Sequence, residues 1–196
     1  MPNFKHTADP LDALRAQLKS ARQSMTPEIQ AQAARQVADL ICNSPLFQQA
    51  KRLAVYHPQK GELDPMSLAA HAWQTGKQVF LPVVYGTKLI FRQYLPDSIL
   101  IPERYGIYVP QQGFELPAEQ LDIVFMPLVG FDPHTGHRLG MGGGYYDRTF
   151  AERTAEIGRP RLVGLAHTCQ ACTLAPQTWD VAMDAVCTPE YLRFFA

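Results

Sequence analysis

Apolar residues near the start of the chain recur at helical intervals. Leu11, Leu14, Leu18 and Ala21 share one face, and Asp9-Pro10 ahead of them reads as an N-cap followed by proline at the first helical position. Thr26-Pro27-Glu28 repeats that start signal, and Ile29, Ala33, Val37, Leu40 and Ile41 form a second stripe. Each stripe needs a larger surface to pack on. Beyond residue 50 the pattern alternates. Leu53-Ala54-Val55-Tyr56 is a short strand, and Asp64-Pro65 begins a helix that faces inward through Leu68, Ala72 and Trp73 and ends at Gly76. Val79-Phe80-Leu81 and Leu89-Ile90-Phe91 are further strands, and the proline-punctuated stretch 96–117 reads as irregular. Residues 121–128 make the most apolar strand, which predicts a central position covered on both faces. A helix follows the glycine cluster near residue 142, then Arg161 to Ala166 gives another strand and Val186-Cys187-Thr188 a last one. Strands separated by helices predict an α/β fold with a mostly parallel sheet and helices on both faces. The expected organisation is a single three-layer domain over residues 1–196, with a helical N-terminus, 9–50, packed on the sheet.

Composition narrows the function. The chain has 196 residues, 46% apolar and 18% charged, which suits one sizeable core. Lys plus Arg and Asp plus Glu are both 18, so no positive excess exists to displace counterions from nucleic acid. The N-terminus carries Lys5, Asp9, Asp12, Arg15 and Lys19 with no apolar core segment, unlike a secretory signal. The longest apolar run, 123–131, is broken by Pro127 and Gly130 and falls short of the roughly 20 residues that span a bilayer. A soluble, cytoplasmic monomer is expected. Cys169-Gln-Ala-Cys172, with His167 just before it, has metal-type or redox-type spacing. No second pair completes a four-ligand zinc set, so these read as packed or loop thiols.

The chemistry gathers after the central strand, where ligands bind in open parallel sheets. Gly140-Met141-Gly142-Gly143-Gly144 is a segment whose glycines lose extra backbone entropy on folding. Such a segment is found where the backbone must approach a ligand closely or take positive φ. Exposed amides there can form an anion-binding nest, and Arg138 and Arg148 bracket it with cations suited to phosphate oxygens. A tight strand-to-helix turn is the competing explanation. The segment is neither a P-loop, since the Lys-Ser/Thr ending is absent, nor a Rossmann fingerprint, since Tyr145 stands at the third glycine.

Arg138-Leu139-Gly140-Met141-Gly142-Gly143-Gly144-Tyr145-Tyr146-Asp147 resembles the hallmark loop of the 5-formyltetrahydrofolate cyclo-ligases, also called methenyltetrahydrofolate synthetases. Leu14-Arg15, Gly61-Glu62-Leu63-Asp64, Gly76-Lys77, Leu81-Pro82, Leu121-Asp122, Pro127, Phe131-Asp132 and Trp179-Asp180 fall in that family's order. The resemblance implies a ribose-5-phosphate isomerase/CoA-transferase-like sheet whose mouth binds MgATP and a reduced folate. It implies ATP-dependent cyclisation of 5-formyltetrahydrofolate to 5,10-methenyltetrahydrofolate, with release of ADP and phosphate. On that basis Arg15, Arg138, Leu139, Gly140, Met141, Gly142, Gly143, Gly144, Tyr145 and Tyr146 would hold ATP. His57, Glu62 and the residues from Met141 to Tyr145 would touch folate, and Asp147 and Asp180 would hold Mg²⁺. Arg138 and Arg148 would be the catalytic residues, neutralising charge during phosphoryl transfer. Many members carry a lysine three residues before the Leu-Arg pair, where this chain has Leu11. Three other readings stay open: a sugar-phosphate isomerase, a transferase using Glu62 as nucleophile, or a folate- or nucleotide-sensing module without turnover.

Overall fold

The computed structural model describes residues 10–153 and 160–195. Helices α1 (Pro10–Gln23) and α2 (Pro27–Cys42) both begin on proline, and the Thr26 hydroxyl caps α2 by accepting from the Ile29 N–H at 3.4 Å. Asp9, the expected cap of α1, lies outside the described residues. Ala33, Val37 and Ile41 are buried as the stripe requires, whereas Ile29 in the first turn is exposed. A short α3 (Pro45–Gln49), capped by Ser44, leads into β1 (Arg52–Ala54). Helix α4 (Met66–Gln74) ends where Gly76 takes φ +74° and its N–H donates to the Trp73 carbonyl.

The remaining strands follow in order. They are β2 (Gln78–Tyr85), β3 (Lys88–Gln93), β4 (Leu100–Pro102), β5 (Tyr108–Pro110), β6 (Glu115–Leu116) and β7 (Ile123–Met126), then β8 (Gly130–Phe131) and β9 (Arg138–Leu139). After α5 (Tyr145–Phe150) come β10 (Arg161–Leu165), β11 (Ala185–Cys187) and β12 (Leu192–Phe194). Seven of them join β1 in one eight-stranded sheet with the order β12-β11-β10-β7-β1-β2-β3-β6. Its middle, from β11 to β2, is parallel; β12, β3 and β6 add antiparallel edges.

The structure departs from the sequence expectation at those edges. The strand at Val79–Leu81 does not stop at Pro82 but runs on to Tyr85 and turns back through Gly86-Thr87, with Gly86 at φ +60°. Pro82 is tolerated because β1 pairs with β2 only as far as Phe80, so a missing donor is harmless beyond it. The stretch 96–117 is not irregular: β4 and β5 pair as a separate ribbon, and β6 joins the sheet edge. Its prolines mask the alternation that marks a strand.

All four residues of β7 are fully buried, as predicted for the central strand. Ile123 and Phe125 pack with Val37, Ile41, Phe47, Leu68 and Ala72 on the helical face. Val124 and Met126 pack on the other face with Phe80, Phe91, Leu116 and Phe150. Thus α2, α3 and α4 build one outer layer, while the opposite layer rests on α5 and loops. Helix α1 joins neither face. Its Leu18, with Leu11 and Leu14, packs on Val129 and Leu139, beyond the carboxyl end of β7. Leu18 lies so close to Gly130 that a Cβ there would come within 2.6 Å of its Cδ1.

Candidate active site

A cavity of about 1220 Å³ opens at the carboxyl ends of the parallel strands. Tyr56 and His57 reach it from the end of β1, Pro82 and Val84 from β2, and Pro127 and Leu128 from β7. The structure brings every expected site residue to this one space: Arg15, His57, Glu62, Asp180 and the unbroken run 138–148. Leu11 lines it too.

The glycine segment does not follow the central strand directly. The chain first makes a hairpin, β8 against β9, closed by Asp132. The Asp132 carboxylate, 3% exposed, accepts from the N–H groups of His134 (2.8 Å) and Thr135 (3.3 Å), and from Leu174 (3.0 Å) on its other oxygen. Burial alone would raise this carboxyl, but the three N–H bonds outweigh it and hold it below the ordinary aspartate range. Asp132 thereby ties the hairpin to the segment 174–180 that forms the opposite wall.

Within the loop, Gly142 and Gly144 take φ +92° and +63°. The loop carbonyls turn to the protein: Arg15 Nε donates to the Gly140 oxygen at 3.0 Å, and Arg148 Nη2 donates to the Gly143 oxygen at 2.7 Å. Among the described residues, no backbone N–H from Gly140 to Gly144 has a hydrogen-bond partner. Anchored carbonyls and amides left open to solvent are compatible with an anion cradle.

Charged groups frame the cradle. Arg138 is anchored beneath it, with Nη1 donating to the Val181 oxygen at 2.6 Å and Nη2 to Asp147 Oδ1 at 2.8 Å. The Val181 N–H also donates to Asp147 Oδ1, at 3.2 Å, so both bonds fall on one carboxylate oxygen. Arg148 is exposed, spans to the Thr87 oxygen at 2.8 Å and lies over the Tyr145 ring at 5.0 Å. Asp180 uses Oδ2 to accept from the Gln177 N–H at 2.8 Å. The described residues contain no group of three or more His, Cys, Asp or Glu that would hold a metal by themselves. Asp147 and Asp180 both line the cavity, and carboxylate oxygens are the kind of hard donor that Mg²⁺ takes alongside phosphate and water.

The other end of the cavity holds Glu62, whose side chain is 12% exposed. Its Oε2 accepts from the Gln59 N–H at 3.1 Å and its Oε1 from Arg22 Nη2 at 3.4 Å. Burial pushes its pKa up, and the Arg22 cation and the two bonds work against that shift. Sequence reasoning missed Arg22. A basic residue in the last turn of a helix reads as a solvated partner of the helix dipole, yet this one is 1% exposed. The signal available was spacing: Arg15 and Arg22 lie about two turns apart, hence on one face.

Among the described residues, two buried ring nitrogens that lack partners, Nδ1 of His57 and Nδ1 of His137, belong to side chains lining the cavity. His57 packs on Tyr108 of β5 at 5.1 Å, so the ribbon closes one side. Glu103, Arg104, Ile107 and Val109 line that side, and no sequence signal had marked them. Tyr56 does not present its ring face as an open platform. It is 2% exposed and its hydroxyl donates to the Leu63 oxygen at 2.5 Å. Cys169 and Cys172 are free thiols, both raised by burial.

The model of the 5-formyltetrahydrofolate cyclo-ligase family matches residues 9–189. The 5-formyltetrahydrofolate cyclo-ligase of Escherichia coli (strain K12) is 38% identical over 178 residues, covering 88% of this chain and 96% of that one. That of Haemophilus influenzae is 38% identical over 176 residues, covering 87% and 92%. The NMR structure of Aquifex aeolicus 5,10-methenyltetrahydrofolate synthetase is similar with a TM-score of 0.80 at 29% identity, covering 93% of this chain and 91% of that one. A Mycoplasma pneumoniae 5,10-methenyltetrahydrofolate synthetase shares the fold, with a TM-score of 0.74 at 23% identity over 92% and 99% of the two chains.

Proposed function

Because this chain belongs to the 5-formyltetrahydrofolate cyclo-ligase family, we propose that its cavity joins ATP to 5-formyltetrahydrofolate and closes the folate ring. The product is 5,10-methenyltetrahydrofolate, with release of ADP and phosphate. The observation that carries this reading is the row of unspent amides from Gly140 to Gly144 beside Arg148 and Asp147.

The residues divide the work. Arg15, Arg138 and the segment Leu139 to Tyr146 cradle the nucleotide, with the amides of Gly140–Gly144 on phosphate oxygens. Asp147 and Asp180 would hold Mg²⁺, which when bound supplies charge neutralisation on the phosphates. At the other end Glu62 accepts from the donor edge of the pterin, and His57 with Met141 to Tyr145 lines the folate. The formamide oxygen of the folate attacks the γ-phosphorus, and ADP leaves. The neighbouring folate N–H nitrogen then attacks the formyl carbon, its proton passes to the departing phosphate, and the carbon–oxygen bond breaks as the ring closes. No covalent enzyme nucleophile takes part. The protein contributes in-line positioning and fixed positive charge from Arg138 and Arg148, which is what phosphoryl transfer demands.

Mixing the purified protein with 5-formyltetrahydrofolate and MgATP and following the methenyl chromophore tests this reading. Product should form only with ATP present, with one ADP per ring closed; no absorbance change would refute it. We also take the enzyme to be a cytoplasmic monomer, which predicts elution at the 22.0 kDa of one chain.

A further inference from the structure

Arg22 is the most deeply buried cation of the site, yet the division of labour above gives it no task. Its three donors reach three parts of the chain. Nε donates to the Lys60 oxygen at 3.2 Å, Nη1 to the Leu128 oxygen at 3.1 Å and Nη2 to Glu62 Oε1 at 3.4 Å. Two partners are neutral carbonyls, so Glu62 is the acid that balances it among the described residues.

The backbone around Glu62 is shaped to make this contact. Among the described residues Lys60 is the non-glycine residue held at positive φ, +47°, followed by Gly61 at +76°. That left-handed pair folds residues 59–62 so tightly that the Gln59 N–H meets Glu62 Oε2 at 3.1 Å. A Cβ on Gly61 would come within 3.2 Å of the Arg22 oxygen, so the turn is wrapped on the last turn of α1. A left-handed lysine is strained and persists only where its surroundings over-determine it; here its carbonyl is held by Arg22. At the other end, the Leu128 oxygen that accepts from Arg22 also accepts from Gln170 Nε2 at 2.8 Å. Arg22 thus bolts the Glu62 turn to the end of the central strand.

We propose that Arg22 is the positioning residue of the folate subsite, keeping Glu62 charged and aimed so that it can accept two N–H donors from the pterin edge. This rests on the reading of Glu62 as the pterin acceptor. Among the described residues each Glu62 oxygen accepts one bond and keeps capacity for another. Without Arg22, a carboxyl this buried would tend to take a proton and present a donor to a donor edge. Lysine would supply the charge but not the fork that reaches three acceptors.

The test is a mutant cycle read by the KM of each substrate. Arg22→Met should raise the KM for 5-formyltetrahydrofolate about tenfold, the scale of one charge-assisted contact. The KM for MgATP should stay within about twofold, and Arg22→Lys should recover only part of the loss, since it restores the charge without the fork. In a Glu62→Gln background, changing Arg22 to Lys or Met should add less than about twofold, because the group it acts through is gone. If Arg22→Met does not fold, the cycle of Arg22→Lys with Glu62→Gln decides alone. Independent, multiplying losses would overturn the proposal, as would an ATP KM that rises in step. A wild-type protein that makes no methenyl product would instead refute the cyclisation chemistry, and calorimetric titration with 5-formyltetrahydrofolate alone would then still score the Arg22–Glu62 coupling.

Discussion

Gly140→Ala separates an anion cradle from a structural turn more cleanly than any other change in the loop. Gly140 has no positive φ, and a Cβ built on it meets nothing within 4 Å. The fold therefore gives no reason for glycine at this position. Alanine should even help, because it narrows the unfolded ensemble and stabilises by about 0.4–1 kcal/mol where the native conformation suits it. For a domain of this size, 1 kcal/mol moves the melting point by about 2–4 °C, so an unchanged or slightly raised Tm is expected. If the Gly140 amide faces a phosphate, the added methyl stands where ligand must approach. Loss of one such contact is worth about 1.4 kcal/mol, a tenfold rise in KM for ATP. Differential scanning calorimetry and the methenyl absorbance assay measure the two effects on one preparation. A higher Tm with an unaltered KM for ATP would show that the cradle has been placed wrongly. Gly144→Ala is less informative: φ +63° alone costs about 1–2 kcal/mol, and its Cβ would come within 2.6 Å of Arg148 Nη1, so fold and site suffer together.

Other outcomes follow from the same structure. Gly164→Ala would press a methyl against Met183 and to 2.7 Å from Leu128 Cδ2 in the core; overpacking of about 1–3 kcal/mol should lower the Tm read by calorimetry. Asp147→Asn and Asp180→Asn should each raise the Mg²⁺ concentration needed for half-maximal rate, without altering folate binding measured by calorimetry in the absence of ATP. Chelation by EDTA should stop the wild-type reaction, and added Mg²⁺ should restore it. Burial raises Glu62 above the ordinary glutamate value of 4.5, with Arg22 opposing it and Tyr56 and Tyr146 close by. As pH falls through that raised pKa the carboxylate is lost, so the folate KM should climb at a higher pH than a free carboxylate would give, and Glu62→Gln should flatten the profile. The sign for stability is opposite. A raised folded-state pKa means that the contribution of this group is full below the unfolded value and declines as pH rises through the folded one. The Tm of wild type minus that of Glu62→Gln should accordingly fall across the same window.

Much of the fold was legible because local chemistry and burial agreed. Thr26-Pro27 started a helix, Gly76 ended one, and the unbroken apolar run at 123–126 could only be a central strand. The antiparallel edges were not legible, because Pro82 and the prolines of 96–117 interrupt the very alternation that marks a strand. A proline is harmless where a neighbouring strand has already ended, and only the sheet reveals where that is. In the site, the glycine segment announced itself because its composition is costly without a purpose. Arg22 did not, since a terminal helical arginine is ordinary on the surface.

The amino-acid order by itself determined which stretches must hide from water, where the chain must bend, and which loop gathers glycines between two arginines. Those properties are encoded within a few residues of one another. Tertiary structure alone decided that Arg15 would hold the Gly140 carbonyl, that Arg22 would meet Glu62, and that Asp132 would tie one wall of the cavity to the other. The reason is physical: each of those contacts joins groups distant in sequence, and their charge or hydrogen-bonding state follows from a burial that no neighbouring residue specifies.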